Sequence, residues 1–164
     1  MDFESARQSV LHWLENFVER PNDQLAGWAP CPYARAARLA NRVDIRLGQD
    51  PSADAQGVDL TDLDVVVWLY DPSRVGADEF DAAVERINQT LLLPRGMFAL
   101  ADHPGSPEQV LGVMMNQGQV AMMLVQQLDK LQEHARTLAR RGYYQSWPEE
   151  YLKQLFHLRE DPRQ

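Results

Sequence analysis

Apolar residues recur along this chain in two periods, and the switches between them lay out its elements. From residue 3 to 20 they fall at spacings of three and four (Phe3, Val10, Trp13, Leu14, Phe17, Val18), which predicts an amphipathic helix stopped by Pro21-Asn22-Asp23. A loop over 21–30 leads to a second helix at about 32–41. Val43-Asp44-Ile45-Arg46-Leu47 alternates apolar and polar, the strand period. Residues 48–63 read as a loop rich in Asp, Gly, Ser and Ala, and Val65–Tyr70 as a strand buried on both faces. A helix at about 77–92 puts Phe80, Val84, Ile87 and Leu91 on one side, and Met97–Ala101 is a third strand. Ser106-Pro107-Glu108-Gln109 has the capping-box spacing with proline at the first helical position, which predicts a short helix to about Met115. Asn116-Gln117-Gly118 is a turn, Val120–Val125 a strand, and a helix at about 127–141 stops at Gly142. A second capping-box pattern, Ser146-Trp147-Pro148-Glu149, opens a last helix through Tyr151, Leu152, Leu155 and Phe156, and the tail from Glu160 is expected to fray.

The order α-α-β-β-α-β-α-β-α-α predicts a single α+β domain over 1–164, with a helix and loop at 1–30 and helices at 127–164. Its core is expected to be a mixed or antiparallel sheet of about four strands with helices packed on it. The strand-helix-strand unit at 65–101 fits a right-handed crossover.

Composition narrows the function classes. A length of 164 residues suits one domain with a real core, and a net charge of -8 argues against nucleic acid, which needs a basic surface. No apolar run reaches membrane-spanning length, and the start Met1-Asp2-Phe3-Glu4-Ser5 lacks the basic and apolar regions of a signal peptide. The single cysteine cannot form an internal disulfide. These features lead us to expect a cytoplasmic protein.

That cysteine is the strongest chemical lead. Cys31-Pro32-Tyr33-Ala34 places it as the expected N-cap of the second helix, where the helix dipole favours thiolate. Arg35, Arg38 and Arg42 follow at offsets of four, seven and eleven, within roughly 60° of one another around a helix. A thiolate beside arginines would suit a nucleophile acting on an anionic molecule; the plainer reading makes the arginines the solvated side of an amphipathic helix. His103, just past the third strand, is a candidate base or ligand, or else a turn histidine bonded locally. Trp28 could wall a pocket, whereas His12, His134 and His157 read as surface or boundary residues. Asp50, Asp54, Asp59, Asp62 and Asp64 match no calcium loop and read as a solvated acidic stretch. Met114, Met115, Met122 and Met123 suggest core packing or a subunit interface, and Tyr143, Tyr144 and Trp147 an aromatic cluster.

Trp13-Leu14-Glu15-x-Phe17-Val18, then Cys31-Pro32-Tyr33-Ala34, then His103-Pro104, resembles a bacterial family of small uncharacterised proteins. Members begin with a Trp-Leu-Glu-x-Phe-Val helix, continue into Cys-Pro-Phe-Ala and carry a downstream His-Pro. The resemblance spans roughly 10–125 and implies the fold and a focus on Cys31 and His103, with no reaction attached. Here the spacer before Cys31 is longer, Tyr33 replaces Phe, and Gly105 stands where the family tends to carry a second His, a departure that counts against a two-histidine metal site. Cys-Pro-Tyr is also similar to the glutaredoxin active-site start, but Leu25–Pro30 is no strand.

Two functions are expected. The first is a thiol-dependent enzyme with Cys31 as nucleophile or ligand, His103 as base or ligand, and Arg35, Arg38 and Trp28 holding a small anionic molecule. The second is a non-enzymatic binding or accessory protein, with a homodimer as its expected assembly. The sequence implies no particular cofactor, and a metal held by Cys31 and His103 lacks a third ligand.

Overall fold

A computed structural model describes the chain from Met1 to Gln164. Helix α1 (Phe3–Trp13) starts where the Asp2 carboxylate accepts from Ser5 N–H at 2.9 Å. Its buried residues Ala6, Val10, Leu14 and Val18 are spaced strictly by four. Such a row drifts around an α-helix, and the last turn, Leu14–Val18, opens to a π turn, with Glu19 N–H bonding Leu14 C=O at 3.0 Å. The wider turn keeps all four side chains on one sheet face.

The remaining elements are α2 (Ala34–Leu39), β1 (Val43–Leu47), α3 (Pro51–Gln56), β2 (Val65–Tyr70), α4 (Ala77–Ile87), β3 (Met97–Asp102), β4 (Gln109–Val110), β5 (Val113–Met114), β6 (Ala121–Gln127), α5 (Leu128–Arg140) and α6 (Glu149–Leu155). The main sheet has the order β1-β2-β6-β3, with β1 and β2 parallel and β6 antiparallel to both neighbours. This is the expected single α+β domain with a mixed four-stranded sheet. β2 and β3 run parallel through α4, with β6 inserted between them. No helix is long and apolar enough to cross a membrane.

Alternation along the strands makes two cores. Val66, Trp68, Met97, Ala99, Met123 and Val125 pack under α3 and α4, whose Phe80, Val84 and Ile87 are buried there. Val67, Leu69 and Met122 face the α1 row on the other side. A third, aromatic cluster joins α5 and α6 through Tyr143, Tyr144 and Phe156, with Trp28, Tyr33 and Trp147 packed against it.

Two expectations fail on local chemistry. The predicted helix at 106–115 is the β4–β5 hairpin, turned by Leu111 and Gly112 at φ 52° and 81°. The cap residue is engaged elsewhere, with Ser106 Oγ donating to Asp81 at 2.7 Å, and in the same segment Glu108 Oε2 accepts from Tyr151 at 3.1 Å. The predicted loop at 48–63 contains α3, because Asp50 accepts from Ala53 N–H at 2.8 Å and Pro51 fills the first turn. The acidic residues here have structural partners. Asp54 accepts from Tyr70 Oη at 2.9 Å, and Asp64 pairs with Arg42 at 3.0 Å and Lys130 at 2.9 Å.

Candidate functional site

Helices α1 and α2 cover the sheet over β1 and β2, while the face over β6 and β3 is roofed at a distance by α5 and α6. Between them lies a cleft of about 700 Å3, with 22 hydrophobic residues among the 37 that line it. Val67, Leu124, Phe98 and Leu100 form its floor; Trp13, Phe17 and Tyr33 stand on one side and Leu131, Tyr151 and Leu155 on the other. The strand period puts the floor residues on one sheet face, and the connection from β6 straight into α5 brings the opposite wall over them.

Cys31 lines this cleft and is solvent-exposed. It precedes α2 by three residues, and the cap position belongs to Tyr33, because Cys31-Pro32-Tyr33 forms a turn closed by Ala34 N–H on Cys31 C=O at 3.2 Å. The Tyr33 and Ala34 amides near the sulfur still favour thiolate. Protein packed around the sulfur outweighs them, and with the Glu19 carboxylate it holds the thiol above its ordinary value. The expectation of a depressed thiol is therefore reversed. Exposure governs how easily a reagent reaches Cys31; the surroundings govern how much of it is thiolate.

His103 lies elsewhere. It is 5 % exposed and sits on the α4 side, its ring 5.8 Å from Phe80. Nδ1 accepts from Gly105 N–H at 2.9 Å, so Nε2 carries the proton and donates to Val75 C=O at 3.0 Å. Both nitrogens are occupied, and the structure does not bring His103 to Cys31. A Cβ at Gly105 would stand 3.0 Å from Ala77 Cβ and 3.2 Å from His103 Nδ1, too close for a second histidine.

The arginines leave no free anion clamp beside the thiol. Arg38 forks onto Glu19 at 2.6 and 3.0 Å and reaches Glu15 at 3.2 Å, so acids of the chain occupy its anion-binding edge. Arg35 is exposed on α2 and does not line the cleft. Trp28 packs edge-on against Tyr143 at 5.4 Å, with Arg141 over its ring at 5.7 Å, inside the aromatic cluster.

The polar groups that do meet at the cleft come from distant segments. Asp102 accepts from Asn116 Nδ2 at 3.1 Å and Gln117 N–H at 3.2 Å, and burial holds its carboxyl above the ordinary range despite these bonds. Glu108 is an exposed residue, yet protein around its carboxyl and nearby Asp102 push it above the ordinary range, against the opposing effect of the Tyr151 hydroxyl. Asn116 ties this end together by accepting from Glu108 N–H at 2.6 Å. Deeper in, His134 stacks on Tyr33 with ring centroids 3.7 Å apart, and burial lowers its pKa. Glu108, Tyr151 and His134 escape a reading of the sequence because the segments that bring them together are far apart along the chain.

Chemically, the cleft offers apolar walls, a thiol at its border and the Asp102 and Glu108 carboxyls at one end. Comparison with models of known protein families, with curated proteins and with solved structures finds no match to this chain.

Proposed function

We propose that the protein is a binding module that holds a largely apolar small molecule in the cleft between the sheet and α5–α6. The supporting observation is the cleft itself: about 700 Å3 of apolar-walled space falls within the range of ligand pockets, roughly 300–1,000 Å3. Asp102 and Glu108 at one end would orient the molecule by accepting hydrogen bonds from it.

The test is titration with the neutral fluorophore N-phenyl-1-naphthylamine, read by its emission and by quenching of tryptophan fluorescence. Wild type is expected to bind saturably. Leu124→Trp, which fills the floor, should weaken binding by about tenfold, the scale of a lost apolar contact. A dye that fails to bind wild type, or binds both proteins equally, sinks the reading.

The thiol-dependent reading keeps one supporting observation, that Cys31 borders the same cleft. On that reading Cys31 would work without His103, Arg35 or Arg38 beside it.

A further inference from the structure

The two edges of the sheet differ. At β3, Asn88 is 3 % exposed and grips the strand from outside: its amide donates to Ala99 C=O at 2.8 Å and accepts from Ala99 N–H at 2.7 Å. A side chain thus takes the place of a neighbouring strand. β1 has no such guard. Arg42 C=O accepts from Val65 N–H at 3.2 Å and Gly48 N–H donates to Leu69 C=O at 2.9 Å, so both ends of β1 turn these groups toward β2. By alternation the backbone groups of Asp44 and Arg46 also face β2, while those of Val43, Ile45 and Leu47 face outward. No other backbone segment bonds to them.

The side chains on this edge are self-complementary. Val43-Asp44-Ile45-Arg46-Leu47 reads the same, in apolar character and opposite charge, from either side of Ile45. Laid antiparallel on a second copy, Ile45 meets Ile45, Val43 meets Leu47, and Asp44 meets Arg46 twice. The outward backbone groups of residues 43, 45 and 47 fall in this same register, so each finds a partner across a two-fold axis through the Ile45 pair. The charges are accessible, with Asp44 and Arg46 side chains 44 % and 38 % exposed, and Leu47 is an exposed apolar residue. Within one chain Asp44 and Arg46 pair only with each other, at 2.8 Å.

We infer that β1 is a homodimerisation edge, through which two copies join antiparallel over residues 43–47 into one continuous sheet. Sedimentation velocity from about 1 μM to about 500 μM protein tests this. Wild type should pass from monomer to dimer. Asp44→Arg and Arg46→Asp each set like charges opposite one another at two places and should weaken association about tenfold. The double exchange Asp44→Arg with Arg46→Asp restores opposite charges and should restore the dimer. Leu111→Glu, on the β4–β5 turn, should leave association unchanged, and circular dichroism follows folding throughout. Wild type that stays monomeric over the whole range overturns the inference. So does a folded double exchange that fails to associate, or single reversals that associate as wild type does.

Discussion

Cys31 sits between two backbone amides that favour its thiolate and a packed surround, with Glu19, that opposes it. The second influence is the larger, so alkylation by iodoacetamide should show an apparent pKa above the free-thiol value of about 8.5. Glu19→Gln removes a negative charge and releases Arg38, and both changes should bring that pKa down in the same rate-against-pH measurement. Glu108 is a different case. Surrounding protein and Asp102 raise its folded pKa even though the residue is exposed, so its small, solvent-screened contribution to stability is complete below the unfolded value of about 4.3 and is lost as pH rises through the folded one. Glu108→Gln keeps an acceptor for Tyr151 and never charges. Thermal unfolding should find it more stable than wild type at pH 7, with the difference gone near pH 4. The sequence makes Cys31 conspicuous by rarity and His103 by position. It cannot show that His103 spends both nitrogens on Val75 and Gly105, because such satisfaction depends on backbone groups that are anonymous in sequence.

Strands were the most legible elements. Val43–Leu47 and Val65–Tyr70 stand where the apolar pattern puts them, since strand period and burial follow from side chains alone. The segment 106–115 was misread because a capping box is a local signal. A tertiary bond to Asp81 draws the cap side chain of Ser106 away, Tyr151 holds Glu108 beside it, and Gly112 supplies a hairpin turn. Asn88 belongs to this scale too: within a helical pattern it looks like an ordinary polar residue, yet it closes the β3 edge. Asn88→Ala leaves the Ala99 N–H and C=O without partners in a buried site and should cost about 2–5 kcal/mol in chemical denaturation. Asn88→Asp keeps the acceptor but turns a second oxygen toward Ala99 C=O, so it should rescue little. Gly48 is constrained in another way, for a Cβ there would overlap the Tyr70 ring. Gly48→Ala should therefore destabilise by about 1–3 kcal/mol in the same assay.

On the scale of the whole molecule, the α+β class and the number of main strands could be read from sequence, whereas strand order and the cleft could not. Both depend on which segments meet: β6 between β2 and β3, and α6 above Phe98 and Leu124. Native-state hydrogen exchange should find the amides of Ala121–Gln127 among the slowest, opening only with global unfolding, because this strand is paired on both sides and joins the two cores.

That placement also governs how the protein can be made. The strand at the middle of the sheet is the last of the four to leave the ribosome, so β1–β2 and β3 must wait, apolar faces and inner edges open, until residue 127 is available. For most of its synthesis the nascent chain is a set of unfinished edges, and a chain cut short before this point keeps the inner edges of β2 and β3 unpaired where a smaller domain would close them.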